Sequence, residues 1–437
     1  MTPEVRDRIE QLRQRNVPKG YKKTKLGIFP IEWNILYLKQ LLEFKNGINA
    51  DKEKFGQGTK LISVRDILSA RPITYETICS SVEVNERQIE EFGVKYGDVL
   101  FQRSSENYED VGTSNVYLDP INTAVFSGFV IRGKKIATYD PFYLNLLLRI
   151  SYVRKAIIRQ AAGAQHINIG QESLEKICIA FASDAEQKKI AEILSTQDKV
   201  IELKEKRLTE KQRRKKYLMQ QLLTGKKRLK GFNGEWRKEK LGKFFAERSE
   251  TECEHLELLA ITGMQGVIPR SHLSLKDNSS EDRSKYLHIC VGDIGYNTMR
   301  MWQGVSAYSN YDGIVSPAYT ILKSKGGINA KYFAYLFKLP EVVFLFYRYS
   351  QGLVDDTRNL KYENFKKIGV ACPEDIEEQN AIASVLEVAD KEIELLRQGL
   401  EQEKQKKKAL MQLLLTGIVR VKEAAGCRFS TQMKERT

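Results

Sequence analysis

The chain has 437 residues, of which 42% are hydrophobic, and its formal net charge is +15 at pH 7. This length predicts two or three domains, and no apolar run reaches the roughly 18–20 residues of a membrane span. The excess of positive charge favours a polyanionic partner, either nucleic acid or an anionic membrane surface. A soluble basic protein without such a partner is the open alternative.

The N-terminus and the cysteines predict a cytoplasmic protein. The first residues, MTPEVRDRIEQLRQRN, are charged and lack the apolar stretch of a signal peptide. The six cysteines lie far apart, with no C-x-x-C pair, so we expect free thiols in a reducing compartment.

In chain order, the patterns predict an α+β architecture with two similar globules and two long helices. Each globule contains β-branched and aromatic runs, such as TAVFSGFVI and GIVSPAYTIL, broken by Gly, Asp, Asn and Ser. The predicted segments are an N-terminal helical segment (1–26), a first globule (27–183), a central helix (184–230), a second globule (231–373), a C-terminal helix (374–418) and a tail (419–437).

The two helices are copies of one sequence. Gln187–Gly225 aligns with Gln379–Gly417 without a gap, and 19 of 39 positions are identical. A repeat of this length indicates one supersecondary unit used twice. Both copies end in Thr-Gly, and the glycine suits a helix C-cap.

Apolar positions in both helices follow the four-and-three spacing of a coiled-coil seam. Lys211 and Lys215 interrupt the seam in the first helix, and Glu403 and Lys407 interrupt it in the second; such polar positions can fix register or partner. We expect two helices of about 60 Å to pair antiparallel, with two unrelated surface helices as the alternative. The predicted seam comprises Ile190, Leu194, Ile201, Leu208, Leu218, Leu222, Ile382, Leu386, Ile393, Leu400, Leu410 and Leu414.

The globules repeat more weakly than the helices, but their short motifs occur in the same order. Their divergence contrasts with the close match of the helices, which predicts a shared task for the helices and different tasks for the globules. The matched motifs are Glu32-Trp33 and Glu235-Trp236, Gly97-Asp98 and Gly292-Asp293, and the helix entries SDAEQ and EDIEEQ.

The sequence lacks the motifs that would indicate catalysis. The sequence has no G-x-x-x-x-G-K-[ST] phosphate loop, and FGQGTK (Phe55–Lys60) lacks a strand–helix context and is interpreted as a turn. Cys253–His255 and His288–Cys290 could together supply a Cys₂His₂ set, but their one-residue spacing differs from that of structural zinc sites. We therefore predict no catalytic residue and no metal site.

The loops that come after the Gly-Asp pairs carry side chains suited to base edges. Arg can hold guanine, and Asn or Gln can hold adenine, through two hydrogen bonds. Surface loops carry such residues in any case, so each residue is a candidate only. The candidates are Gln102, Arg103, Ser104 and Asn107 in the first globule and Asn297, Arg300 and Gln303 in the second.

The central helix carries a one-sided run of positive charge. From Lys204 to Lys230 there are twelve Lys or Arg residues and two Glu. Such a run is less usual than the mixed charge of a solvated helix face, and it predicts salt-dependent, sequence-blind contact with phosphates. The candidates are Arg213, Arg214, Lys215 and Lys216.

Together these features resemble the specificity (S) subunits of Type I restriction–modification enzymes. The resemblance rests on the Glu-Trp and Gly-Asp pairs, GIVSPAY at Gly313–Tyr319, the helix entries, and the helix ends LMQQLLTG and LMQLLLTG. It runs from about residue 25 to residue 422. One departure is FSGF at Phe126–Phe129, which lacks the proline of VSPAY; we interpret that proline as structural.

The resemblance implies a non-catalytic, DNA-associated subunit with two target recognition domains, each of which reads half of a split DNA sequence. The helices would act as a ruler and would dock two methyltransferase (M) subunits, and the assembled enzyme would recruit restriction (R) subunits. Adenine methylation and S-adenosylmethionine would belong to the M subunits, so no cofactor is expected in this chain. The charges of the central helix could then contact acidic patches of M instead of phosphates.

Two other classes of protein remain open from the sequence. An S–M fusion or a nuclease would need a methyltransferase nucleotide loop or a carboxylate cluster, and the sequence offers neither. A coiled-coil scaffold that binds only proteins would show no steep fall of DNA binding with salt.

Overall fold

The computed structural model describes residues 3–263, 265–273 and 282–421. The chain divides into two compact units: the first comprises Met1–Leu203 with Glu401–Thr437, and the second comprises Lys204–Leu400. Each unit holds one globule and parts of both long helices. The boundaries predicted from the sequence give each helix a segment of its own, whereas the two compact units divide each helix between them. The division into units does not test these boundaries, and they stay a prediction. Residues 422–437 of the predicted tail lie outside the described residues.

The globule of the first unit has thirteen short strands and six α-helices among its described residues. The predicted boundary at residue 27 falls at the start of the second strand of an antiparallel hairpin. The helices are α1 (Pro3–Arg13), α2 (Val64–Ile67), α3 (Glu86–Phe92), α4 (Pro141–Leu148), α5 (Ser151–Ile158) and α6 (Gln171–Glu175). The strands are β1 (Tyr21–Thr24), β2 (Gly27–Pro30), β3 (Asn34–Tyr37), β4 (Leu42–Asn46), β5 (Phe55–Ile62), β6 (Ser81–Val82), β7 (Val99–Gln102), β8 (Ser104–Ser105), β9 (Ser114–Val116), β10 (Val125–Phe126), β11 (Val130–Lys135), β12 (Ile167–Asn168) and β13 (Cys178–Phe181).

The main sheet of the first unit has the order β4-β11-β7-β9 and is antiparallel throughout. A second sheet, β10-β5-β6, pairs β10 parallel to β5. Strand β13 pairs with β3, and the first long helix begins three residues after β13 ends. Burial of apolar side chains is the dominant favourable term in folding, and here one core cluster joins the sheet to α4, α5 and the starting residues of that helix.

The long helices are α7 (Asp184–Leu222) and, at the C-terminal end, α12 (Ile376–Leu414), with 39 residues each. Both end three residues before the Thr-Gly glycine, which lies in the left-handed region at φ +70° for Gly225 and +71° for Gly417. A Cβ on Gly417 would come within 2.6 Å of the Pro30 ring. Glycine is therefore required there by both its conformation and its contact.

The globule of the second unit repeats the arrangement of the first. Its α-helices are α8 (Leu241–Phe244), α9 (Ala330–Leu336), α10 (Pro340–Tyr349) and α11 (Tyr362–Phe365). Its strands are β14 (Trp236–Lys240), β15 (Phe245–Arg248), β16 (Leu259–Thr262), β17 (Gly266–Pro269), β18 (Leu287–Ile289), β19 (Ile294–Asn297), β20 (Ser306–Tyr308), β21 (Gly313–Val315), β22 (Tyr319–Ser324) and β23 (Gly369–Pro373). The main sheet, β15-β22-β19-β20, is antiparallel and matches β4-β11-β7-β9, while β14 and β23 pair as β3 and β13 do.

Within each unit, α7 and α12 pack antiparallel, as expected for a coiled coil with an internal repeat. In the first unit, Gln197 Nε2 donates to Glu403 Oε2 at 2.8 Å, and Lys407 Nζ pairs with Asp198 at 2.6 Å. The predicted seam residues of both helices are buried or half-buried. Eight are buried, namely Ile190, Leu194, Leu222, Ile382, Leu386, Ile393, Leu400 and Leu414, and four are half-buried, namely Ile201, Leu208, Leu218 and Leu410.

The lysines that interrupt the seam form ion pairs between the helices. In the second unit, Lys215 pairs with Asp390, and Lys211 Nζ lies 2.5 Å from Glu392. The pair of Lys215 with Asp390 is the repeat counterpart of the pair that Lys407 makes with Asp198 in the first unit. Because an oppositely charged partner must lie across from each lysine, these pairs favour one register over others.

Among the helices that the structure describes, none combines the length and the apolar character needed to cross a lipid bilayer.

Candidate nucleic-acid interface

The repeated Glu-Trp and acidic-Gln motifs meet at the start of each long helix. In the first unit, the Trp33 indole donates to Glu186 Oε2 at 2.8 Å, and Arg420 Nε donates to Glu186 Oε1 at 2.8 Å. Trp33 is fully buried, and the Glu186 side chain is 4% exposed. Burial alone would lower the pKa of Arg420, but its hydrogen bonds to Glu186 and Glu32 outweigh that effect and raise the pKa.

The same anchor recurs in the second unit. Arg228 donates through Nε and Nη2 to both oxygens of Glu378 at 2.6 and 2.7 Å, a two-point pairing of the strong charge-assisted kind. The Trp236 indole donates to Glu378 at 3.3 Å. The side chain of the next residue, Gln379, donates to the Pro373 carbonyl and accepts from the backbone N–H of Asn329. These anchors fix where each helix leaves its globule.

The Gly-Asp pairs build the turns that lead into β7 and β19. Gly97 and Gly292 have φ values of +90° and +97°, a region that favours glycine. The carboxylate of Asp98 accepts the backbone N–H groups of Lys95 and Lys135, and burial raises the pKa of Asp98. These motifs therefore have a structural role, which is to orient the polar loops beyond β7 and β19.

The structure separates the four base-reading candidates of the first unit. Gln102 is buried, and its amide donates to the Ser104 carbonyl at 2.9 Å, so it is turned inward rather than toward a partner. Arg103 is half-buried and makes one long contact of 3.4 Å to the Gly128 carbonyl. The Ser104 hydroxyl bonds to Asn168, whereas Asn107 is exposed. Arg103 and Asn107 are the two candidates placed to meet an external ligand.

The candidates of the second unit lie at the end of β19 and after it. Asn297 is half-buried and accepts the Met299 amide, while Arg300 and Gln303 are exposed. Beneath this loop, the Lys338 ammonium donates to the carbonyls of Gly304 and Ser306 at 2.7 and 2.5 Å. Burial lowers the pKa of Lys338 to about 8. This half-buried lysine holds the turn that comes after Gln303.

In the second unit, the four predicted phosphate-contacting residues of α7 differ in their exposure to solvent. Arg213, Arg214 and Lys216 are exposed, and this access to solvent is what contact with phosphates requires. Lys215 differs, because it is half-buried, pairs with Asp390 and lies over the Tyr335 ring. The sequence grouped Lys215 with its neighbours, but its seam position commits it to the helix pair.

The Cys/His pairs considered for zinc do not come together in one group. Among the described residues, one group could hold a metal ion, formed by His288, Cys290 and Asp312, and it includes neither Cys253 nor His255. The two ring nitrogens of His288 already contact carboxylates, of Glu250 and Asp312, at 3.2 and 3.0 Å. The His288 ring is therefore held between two carboxylates, one of which, that of Glu250, also pairs with Arg248.

Sequence reasoning missed a second loop beside each set of candidates. In the first unit this loop spans residues 162–168, and the Tyr108 hydroxyl donates to its Gly163 carbonyl at 3.0 Å. In the second unit the corresponding loop spans residues 351–359 and comes after α10. The signal that could have found them is the glycine shared by AAGAQHIN and SQGLVDDTRN.

The comparisons with known proteins point to one family. Residues 30–212 match the family model described as the Type I restriction modification DNA specificity domain. A Methanocaldococcus jannaschii protein, provisionally named the MjaX type I restriction enzyme specificity subunit, is 26% identical over 448 residues, covering 92% of this chain and 97% of that protein. The MjaVIII specificity subunit of the same organism is 26% identical over 220 residues, covering 49% of this chain and 51% of that protein.

Solved structures support the fold. An S subunit from M. genitalium superposes with a TM-score of 0.51 at 14% identity, covering 87% of this chain and 96% of that one. A chain from a structure on the assembly and conformational transition of the type I R-M system superposes with a TM-score of 0.55 at 12% identity. The match covers 90% of this chain and 99% of that one. These two likenesses show a shared fold. The resemblance predicted from the sequence, to the specificity subunits of Type I restriction–modification enzymes, is thereby confirmed.

The contrast between Arg103 and the helix arginines yields a prediction about base reading. Replacing Arg103 with Ala should weaken binding to the specific duplex by about 1–3 kcal/mol and binding to scrambled DNA little, if the guanidinium holds a base edge. The matched control is Arg213→Ala with Arg214→Ala, which should weaken both duplexes alike and flatten the salt dependence. Binding isotherms at several salt concentrations measure both; equal losses on both duplexes for Arg103→Ala would contradict the assignment.

Proposed function

We propose that this chain is the DNA-reading subunit of a Type I restriction–modification enzyme, in which each globule reads one half of a bipartite target. The observation that carries the proposal is that the two globules share a sheet and a helix anchor but differ in their exposed loops. Because the sheet and the helix anchor are the same in both globules, they hold the exposed loops in equivalent positions. The loops differ in their side chains, and different side chains prefer different bases. The positive charge of the chain supplies sequence-independent attraction to phosphates.

We further propose that the chain carries no catalytic activity and no cofactor of its own. Two M subunits would dock on the repeated helices and supply adenine methylation with S-adenosylmethionine, and R subunits would join the assembled enzyme. The close match of the helices supports this proposal, because two identical partners require two similar docking surfaces. The protein would act in the cytoplasm, in association with DNA.

A domain exchange tests the proposed function. Replacing residues 27–183 with the matching segment of another S subunit should change one half of the recognised sequence and leave the other half unchanged. The anchor residues Trp33, Glu186 and Arg420 make the frame of this globule, so the donor segment must keep the tryptophan. Mapping of methylated adenines in cells that also produce the M subunits is the readout. A change in both halves would contradict separate reading by the two globules.

The scaffold alternative makes a different prediction for the unmodified chain. A protein that binds only other proteins would show weak DNA binding without preference for any sequence. Selection of duplexes from a random pool by the purified full chain, with titration of the selected duplexes at several salt concentrations, separates the two. Enrichment of a split sequence supports the proposal, and the absence of any enriched sequence supports the scaffold.

A further inference from the structure

The loops at residues 162–168 and 351–359 share one backbone frame. In the first unit, Ala162 and Asn168 exchange two backbone hydrogen bonds of 3.0 and 2.8 Å. In the second unit, Gln351 and Asn359 do the same at 2.8 and 2.7 Å. We name residues 163–167 the first tip loop and residues 352–358 the second tip loop. Each is a closed hairpin loop of a few residues held at its base by the backbone.

Each tip loop begins with a glycine that the geometry requires. Gly163 and Gly352 both have φ +135°. A Cβ on Gly163 would lie 2.1 Å from the His166 carbonyl oxygen, and a Cβ on Gly352 would lie 2.6 Å from the Thr357 carbonyl oxygen. The loops therefore turn back sharply on themselves at the same point, and this shared geometry preorganises the rest of each loop.

Both tip loops are fastened to the base-reading candidates of their own unit. Ile169 N donates to the Arg103 carbonyl at 3.0 Å, and Leu360 N donates to the Thr298 carbonyl at 2.9 Å. Each hydrogen bond joins the residue that follows or nearly follows the loop to the segment directly after β7 or β19, the strands that the Gly-Asp pairs precede. A ligand held by Arg103 or by Arg300 would therefore meet the neighbouring tip loop as well.

The second tip loop is further braced by Arg358. Its Nε donates to Asp355 at 2.8 Å, its Nη2 donates to the Tyr347 hydroxyl at 2.9 Å, and its guanidinium lies 4.1 Å from the centroid of the Tyr347 ring. The Trp302 ring packs edge-on against Tyr347 at 6.2 Å between centroids. This bracing joins the loop to the segment that carries Arg300 and Gln303.

The exposed side chains at the two tips differ in chemistry. The first tip carries Gln165 and His166, both exposed. The second carries Leu353, which is 100% exposed, and Val354, which is 59% exposed. Exposed aliphatic side chains on a braced loop lose little further backbone freedom on contact and gain from leaving water. In the major groove, the apolar group available to them is the 5-methyl of thymine.

We propose that the two tip loops are specificity loops, and that Leu353 and Val354 recognise thymine methyl groups in the half-site of the second unit. In the first tip loop, the exposed residues Gln165 and His166 contact base edges of the other half-site by hydrogen bonds. This inference rests on the proposed function, because it assigns a reading role within each globule. It adds a class of contact, apolar and directed at methyl groups, to the polar candidates beyond the Gly-Asp pairs.

The test removes one methyl group from the DNA and the aliphatic side chain from the protein. A duplex selected by the full chain is resynthesised with uracil in place of each thymine of the half-site, one at a time, which deletes only the 5-methyl group. For the wild-type chain, at least one substitution should weaken binding about fourfold, the effect of removing one buried methyl-sized group. Leu353→Ala should bind the thymine duplex more weakly and should show no further loss with uracil at that position.

The control is Leu395→Ala, which removes an exposed leucine on α12 of the same unit. It should keep both the affinity and the sensitivity to uracil. Because Leu353 is fully exposed, its replacement should leave thermal unfolding unchanged. If Val354 makes the methyl contact in place of Leu353 in the single variant, the double variant Leu353→Ala with Val354→Ser removes both aliphatic side chains. It should then lose the affinity and the sensitivity to uracil.

The outcomes separate the inference from the function on which it rests. Suppose that the wild-type chain selects a split sequence but tolerates every uracil substitution, and that the Leu353→Ala variant binds the duplex as tightly as the wild-type chain does. This result would overturn the tip-loop inference alone. A chain that selects no sequence overturns the proposed function as well. If Leu353→Ala left DNA binding intact but prevented assembly with M subunits, the tip would be a protein contact, and the inference would also be overturned.

Discussion

Replacing Glu186 with alanine should destabilise the first unit by about 3–5 kcal/mol, because it leaves the Arg420 guanidinium without its buried partner. The same change removes the acceptor of the buried Trp33 indole. An unpaired buried donor adds its own desolvation cost. Urea unfolding of the full chain, monitored by tryptophan fluorescence, should show the transition of the first unit at a lower denaturant concentration.

Glu32 provides the matched control for this prediction. Its carboxylate also pairs with Arg420, but its side chain is 71% exposed. Glu32→Ala should therefore cost less than about 1 kcal/mol, as exposed pairs do. The double variant Glu186→Ala with Arg420→Ala should lose less than the sum of the two single changes, because the two residues interact directly. Equal losses for Glu186→Ala and Glu32→Ala would show that burial of Glu186 does not matter.

Lengthening both long helices should lengthen the permitted gap between half-sites. We expect this from inserting seven residues into α7 and seven into α12, at the level where Lys204 Nζ donates to the Gly399 carbonyl. Seven residues add about 10 Å of helix, which corresponds to about three base pairs of DNA. Seven residues also complete one heptad, so the apolar seam continues on the same side of both helices. Each half-site should stay as it was, because the globules are unchanged.

The control for the helix insertion places the seven residues in α7 alone. That change slides Lys211 and Lys215 away from Glu392 and Asp390 and should lower the unfolding temperature and weaken recognition of the split site. Mapping of methylated adenines in cells with the M subunits reads the gap for the double insertion. An unchanged gap, in a variant that still methylates, would contradict the role of the helices as a ruler.

Local patterns in the sequence predicted the larger features of this protein. The repeat of Gln187–Gly225 in Gln379–Gly417, its apolar spacing and its polar interruptions are readable from neighbouring residues, and they predicted two antiparallel helices. The alternation of short apolar runs and turn residues predicted an α+β fold. Periodicity within one element reports which side of that element is buried, and this information does not require the rest of the fold.

The fate of individual polar side chains depended on residues far away in the chain. Glu186 looked like one acidic residue of a helix entry, but Arg420, 234 positions later, makes it a buried anchor. Lys215 was predicted both as a polar position in the helix seam and as one of four phosphate-contacting cations, and its pairing with Asp390, 175 positions later, decides for the seam. Gln102 resembled its neighbour Arg103, but it ends β7, whose four residues are all buried, and there it lies opposite Val130 of β11.

The tertiary structure alone brought the tip loops beside the base-reading candidates. The glycine shared by AAGAQHIN and SQGLVDDTRN can mark a turn in each segment, but it does not say where the turn lies in the fold. That placement depends on hydrogen bonds to Arg103 and Thr298, which lie more than fifty residues earlier. The sequence by itself determined the repeat and the helices, since these depend on patterns within a segment, and its short motifs carried the resemblance to a known family. Which exposed side chains share one surface was decided by long-range packing, since only the folded chain brings distant segments into contact.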